Sequence, residues 1–154
     1  MMSDWKPHDS LMGRIFILNN LLQARSQSYF KSNGLGNMSL TRVGVLALLG
    51  SQSRTPSELA DQLHISRPSL AEVIRKMEAE KLLARRGNPA DARSDILTLT
   101  SQGMKVLKKA QTCFQAAGGK LDRQLGKAGI DPAAIETTRK TLEKLIRILS
   151  AGEK

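Results

Sequence analysis

Cysteine is nearly absent from this chain. Cys113 stands alone, so no internal disulfide can form, which fits a reducing cytoplasm as the expected location. Histidine is as scarce. His8 and His64, far from each other and from Cys113, give no metal-ligand spacing, so no metal and no cofactor are expected. Aromatic residues make up only 3% of the chain, too few to build an aromatic cage. The longest apolar run, about Val43 to Leu49, falls far below the ~18 residues of a membrane span. The opening residues Met1, Met2, Ser3, Asp4, Trp5 and Lys6 contain no apolar signal region, and no membrane partner is expected. Internal repeats and low-complexity tracts are missing too. An enzyme needs a nucleophile beside a base, a metal set or a phosphate loop, and none can be assembled here.

What remains is an ordinary soluble composition with a strong charge bias. The 154 residues are 40% hydrophobic and 25% charged, with a net charge of +10. That length suits one domain, or a domain plus an arm, with a working core. A basic chain suggests a polyanionic partner. The excess is uneven. Residues 1–54 hold six Lys/Arg against two acids, residues 55–103 hold seven of each, and residues 104–154 hold eleven against five. The central segment is neutral, so any reading of a polyanion there depends on local arrangement. The basic flanks would add salt-sensitive attraction if they face it.

Apolar spacing predicts a first helix over 9–30, with Leu11, Ile15, Leu18 and Leu22 in register and Asp9 or Ser10 as its cap. A glycine- and asparagine-rich loop over Ser32 to Met38 follows. A second helix runs from about Leu40 to Leu49, and Gly50 is expected to stop it. Thr55-Pro56-Ser57-Glu58 is a capping box with proline at the first helical position. That helix is short and ends near His64. Ser66 then caps another, whose buried stripe is Leu70, Val73, Ile74 and Met77. Two short antiparallel strands are expected over 84–87 and 94–99, joined by turn residues from Gly87 to Pro89. Thr100 caps a long helix to about Leu125, which Gly118-Gly119 is expected to kink or end. Asp131-Pro132 opens a last helix with Ile135, Leu142, Leu145, Ile146 and Leu149 on one face.

Helix, sharp turn, helix and basic hairpin, in that order, describe a winged helix-turn-helix, built to present one helix to the major groove of duplex DNA. The fold class expected is mostly α with a small β-hairpin, flanked by N- and C-terminal dimerisation helices. Residues 39–100 would form the DNA-binding domain, and residues 1–38 and 101–154 the helical dimerisation region. Leu59, Ala60, Leu63, Ile65, Leu70 and Val73 would lock the two helices at their crossing. Opposite the buried stripe lie Pro68, Glu72 and Arg75, flanked by Ser69 and Lys76, with Ser66 and Arg67 in the first turn. Arginine can pair with guanine, serine with phosphate or a base edge, and lysine with phosphate. Glu72 could accept from a cytosine amino group or repel phosphate. The plain alternative for each residue is a solvated helix face. In the hairpin, Arg85 and Arg86 are expected at the base, and Asp91 could hold Arg93 extended toward a narrow minor groove. The plain alternative there is a charged turn with a weak ion pair.

These pieces resemble the MarR family of bacterial transcriptional regulators, from about residue 10 to 149. The matching residues are Leu59-Ala60, Ile65-Ser66-Arg67-Pro68-Ser69, Met77-Glu78, Leu82, Arg85, Asn88-Pro89, Asp91, Arg93 and Leu99-Thr100, ending at Gly103. The Asp-x-Arg wing followed by Leu-Thr and a glycine is the most specific part. The resemblance implies a homodimer with interlocked terminal helices that acts as a repressor or activator on a palindromic operator. It also implies release by a small ligand, often phenolic or lipophilic. Candidate ligand-lining groups are Arg14, Phe16, Arg25, Tyr29 and Phe30. Three departures stand out. Lys81 replaces the family's usual glycine, Glu72 occupies a position that is often basic, and the first helix lacks the cysteine of the peroxide-sensing branch. Cys113 reads as a small packing residue. A protein with the same reading head but no small-molecule effector, architectural or partner-controlled, is the competing function.

Overall fold

The computed structural model describes residues 9–151, the side chain of Ala92 apart. The expectations about the first eight residues, His8 included, lie outside the described residues. The elements run α1 (Leu11–Ser32), α2 (Leu40–Ser51), α3 (Pro56–Leu63), α4 (Arg67–Ala79), β1 (Leu83–Asn88), β2 (Asp91–Leu99), α5 (Ser101–Lys127) and α6 (Pro132–Ala151). The fold is mostly α with one hairpin, a winged helix, as expected. Among the described residues no helix is long and apolar enough to cross a membrane.

The chain forms two compact units, Met1–Cys113 and Phe114–Lys154. In the first, side chains from α2, α3, α4 and the hairpin meet in one core around Leu46, Leu59, Leu70, Ile74, Met77 and Leu97. Burying a leucine of this kind stabilises the fold by roughly 1.5–3 kcal/mol. Phe30, Leu35 and Met38 reach this core from before residue 39, and Leu107, Ala110 and Cys113 from after residue 100. Packing therefore joins residues on both sides of positions 39 and 100.

Local chemistry sets most helix starts. Ser10, rather than Asp9, caps α1, its hydroxyl accepting from the Gly13 amide at 3.0 Å. Two glycine expectations are corrected. Gly50 lies inside α2, which continues to Ser51. A Cβ there would come within 2.6 Å of Leu107 Cδ2, so this glycine makes room for α5. Gly118-Gly119 does not break α5. Glycine costs a helix only about 1 kcal/mol relative to alanine, and Ala116, Ala117, Lys120 and Leu121 are good helix formers on either side.

In the second unit, α5 closes with Gly129 in the left-handed region at φ +75° and the Ile130 amide bonded to the Leu125 carbonyl at 3.1 Å. The Asp131 carboxylate then accepts from the Ala133 amide at 2.9 Å and starts α6. No residue of α6 is buried. Ile146 is 61% exposed, and Leu142, Ile148 and Leu149 are exposed with it. In the first unit α1 behaves alike: Phe16 is 62% exposed, beside Leu11, Met12, Leu18 and Leu21.

Candidate nucleic-acid interface

The helix-turn-helix is fixed by short-range hydrogen bonds. Thr55 Oγ1 accepts from the Glu58 amide at 3.2 Å, and the Glu58 carboxylate accepts from the Thr55 amide at 2.7 Å. The Thr55 amide, and then the Thr55 hydroxyl donating at 2.9 Å, hold the Glu58 carboxyl below its usual range. At the turn, His64 takes the left-handed conformation at φ 50° that glycine would adopt more easily. The Ile65 amide bonds back to the Ala60 carbonyl at 3.2 Å, which closes α3 despite the side chain. Ser66 Oγ caps α4 by accepting from the Ser69 amide at 3.3 Å and donates to Ser69 Oγ at 2.8 Å.

On α4, Leu70, Ile74 and Met77 are buried and Val73 is half-buried. That leaves Ser66, Arg67, Pro68, Ser69, Glu72, Arg75 and Lys76 exposed on the outer side. The awkward Glu72 has a local answer. Lys76, one turn on, donates to its carboxylate at 2.6 Å. The Lys76 hydrogen bond and charge lower the Glu72 pKa and offset its repulsion of a polyanion. Arg67 and Arg75 form no ion pair or side-chain hydrogen bond among the described residues.

The hairpin is longer than the sequence suggests. Its strands pair from Leu83 opposite Leu99 up to Asn88 opposite Asp91, with an irregularity between Gly87 and Asn88. Only Pro89 and Ala90 remain at the tip. Arg85 and Arg86 face Leu97 and Ile96 across the ladder, so they lie midway along the wing and not at its base. Asp91 acts differently from the expected grip on the Arg93 guanidinium. Its carboxylate accepts from the Arg93 backbone amide at 3.0 Å, which shapes the chain beneath the arginine. Asn88 adds to this order, accepting from the Ala90 amide at 3.0 Å and donating to Ser94 Oγ at 2.9 Å. Arg86 and Arg93 are exposed and unpaired among the described residues. Arg85 is different: Nε lies 3.0 Å from Glu78 and Nη1 3.5 Å from Asp95. The Glu78 hydrogen bond, ahead of charge, raises its pKa.

Two supports were not read from the sequence, nor was the bond from the Thr100 cap to the Lys81 carbonyl. Arg54 pairs with Leu97 as an isolated bridge, amide to carbonyl at 3.3 Å and 2.8 Å in return, giving the wing a third, single-residue strand. Buried Arg42 on α2 bonds the Asn37 carbonyl at 2.8 Å and pairs with Glu80 at the end of α4. Thr100 Oγ1 donates to the Lys81 carbonyl at 2.7 Å and accepts from the Gly103 amide at 3.0 Å. A Cβ at Gly103 would sit 2.1 Å from the Leu82 carbonyl oxygen. The glycine ending the Leu-Thr motif therefore lets α5 approach the hairpin's root. Lys81 does adopt positive φ, at 59°.

The five ligand candidates are not brought together. Phe30 is a core residue and Tyr29 is half-buried, whereas Arg14, Phe16 and Arg25 are exposed. Arg14 and Phe16, two residues apart on a helix, point to opposite sides. A groove lies between the end of α5 and the start of α6, lined by Asp122, Gly126, Ile130 and Ile135 among others.

Residues 37–94 match the MarR family model. Over this segment the chain is similar to MarR-family proteins. The match spans α2, the helix-turn-helix and most of the wing. Solved structures of the same fold extend the likeness to nearly the whole chain. The transcriptional regulator BldR from Sulfolobus solfataricus is 22% identical with a TM-score of 0.73, covering 92% of this chain and 93% of its own. The MepR–DNA complex of S. aureus is 17% identical with a TM-score of 0.75, covering 90% and 97%. CouR from Rhodococcus jostii RHA1, bound to p-coumaroyl-CoA, is 17% identical with a TM-score of 0.71, covering 92% and 95%. No curated protein matches the chain by sequence. These structures share the winged-helix fold with this chain.

Proposed function

We propose that this MarR-type chain is a sequence-specific transcriptional repressor that binds a palindromic operator as a homodimer and lets go when a small lipophilic or phenolic ligand binds. The observation that carries the reading is how the neutral segment divides its charge. Glu58 is engaged by its cap, Glu72 by Lys76, Glu78 and Asp95 by Arg85, Glu80 by Arg42, and Asp91 by the wing backbone. Arg67 and Arg75 on α4, and Arg86 and Arg93 on the wing, are left exposed for an outside anion. Zero net charge thus coexists with an unpaired cationic rim on the two elements that enter grooves in this architecture.

In this reading Arg67, Ser69 and Arg75 select bases, Lys76 and Arg86 hold phosphate, and Arg93 enters the minor groove. The dimer rests on the exposed apolar faces of α1, α5 and α6, roughly residues 9–30 and 101–149. Support for an effector comes from the relative CouR, solved with p-coumaroyl-CoA. Selection from a pool of random duplexes tests the operator. The expected winner carries two inverted half-sites about 10 base pairs apart, centre to centre. Retention of all sequences alike would favour an architectural role and end the repressor reading.

A further inference from the structure

Arg85 belongs to the wing by sequence, yet its guanidinium points home. Nε and Nη2 meet the two Glu78 oxygens at 3.0 and 3.5 Å, and Nη1 meets Asp95 at 3.5 Å. Glu78 lies on α4, one residue before its end, Arg85 on β1 and Asp95 on β2. One planar cation therefore joins the recognition helix to both strands of the wing. Its neighbour Arg86 and Arg93 on β2 have no such partners among the described residues. We infer that Arg85 is a strut and not a phosphate contact: with Glu78 and Asp95 it fixes the angle between recognition helix and wing, and so positions Arg93. The inference rests on the proposed reading of the wing as a DNA contact.

The chemistry favours a strut. Glu78 is more enclosed than the other members, at 28% exposed against 43% for Arg85 and 48% for Asp95. Turning Arg85 outward to a phosphate would leave the Glu78 and Asp95 carboxylates without their cation, close to the polyanion. Only a guanidinium spans two carboxylates with fixed donors. A lysine could serve a phosphate as a point charge but could not hold this fork.

Arg85→Lys and Glu78→Ala in the full-length protein test the assignment, with the selected duplex titrated at several salt concentrations. Each variant is expected to bind about fivefold more weakly, and the double variant no worse than either single one. In an Arg93→Ala background neither should cost more than twofold, because the strut acts through that arginine. A phosphate contact behaves oppositely: Arg85→Lys would bind like the parent, Glu78→Ala would bind more tightly by freeing Arg85, and losses would multiply with Arg93→Ala. That pattern overturns the strut. Hydrogen exchange of the Arg86–Ile96 amides without DNA gives a second reading. It should quicken at least threefold in both variants, and unchanged exchange would also overturn the strut. If Arg93→Ala itself binds as the parent does, the wing reading fails. Exchange then decides the strut alone.

Discussion

The helix-turn-helix with its wing and the long helices α1 and α6 handle apolar surface in opposite ways. The first hides it. Leu59, Leu70, Ile74, Met77 and Leu97 are buried within one chain. The second leave it out, with Phe16, Leu18, Leu21, Ile146 and Leu149 all exposed. Charge is divided the other way. Residues 55–103 balance seven cations against seven acids, whereas residues 104–154 carry eleven against five. The winged helix thus closes its core within a single chain, and in the proposed reading it chooses its partner through a few free arginines. The long helices are incomplete as a single chain, and an exposed apolar face of this extent is the mark of an association surface. In the proposed reading a second copy covers it and provides the two-fold symmetry that a palindrome demands.

The largest effect should come from breaking that second surface. Leu142→Asp combined with Ile146→Asp puts charge on the apolar face of α6 without touching any buried residue. Light scattering should fall from twice the 16.9 kDa chain mass to the chain mass. Affinity for the palindrome should drop by roughly a hundredfold, or ~2.7 kcal/mol, as one half-site replaces two. A monomeric parent would remove the contrast altogether.

Next comes a break inside the self-sufficient region. Gly103→Ala forces a methyl to within 2.1 Å of the Leu82 carbonyl oxygen, a backbone atom that cannot swing aside. Overpacking of this kind should destabilise the fold by about 3 kcal/mol in urea titration. Gly118→Ala, where the added methyl meets nothing within 4 Å, should stabilise slightly. The smallest change sharpens the picture. Lys81 holds positive φ at 59°, and Lys81→Gly should raise the melting temperature, by roughly 0.5–1 kcal/mol of stability. Lower stability there would mean that the Lys81 side chain matters more than its backbone angle.

How much of this was legible in the sequence depends on range. The capping box at Thr55, the Ser66 cap and the apolar stripe of α4 are codes of three or four residues, and they place the recognition helix correctly. The Leu-Thr-x-x-Gly signal placed the start of α5 for the same reason. Contacts across long sequence separations were not legible. Arg42 and Glu80 are 38 residues apart, the Arg54 bridge is a single residue, and nothing local says that Arg85 faces Glu78 and not solvent. Gly50 misled because a glycine that admits Leu107 looks the same in sequence as one that ends a helix. The Asp91–Arg93 pair was located correctly and misread in detail, since a carboxylate two residues back reaches the amide more readily than the guanidinium.

The reading head's dependence on a few free arginines is tested most directly at Arg93. It is exposed, unpaired among the described residues and set on a backbone that Asp91 shapes. Arg93→Ala should leave the melting temperature unchanged, because no contact within the chain is lost. Titrated against the selected duplex at several salt concentrations, it should bind at least tenfold more weakly, ~1.4 kcal/mol, with a salt slope shallower by about one counterion. Unchanged affinity and slope would make the wing a bystander and contradict the account.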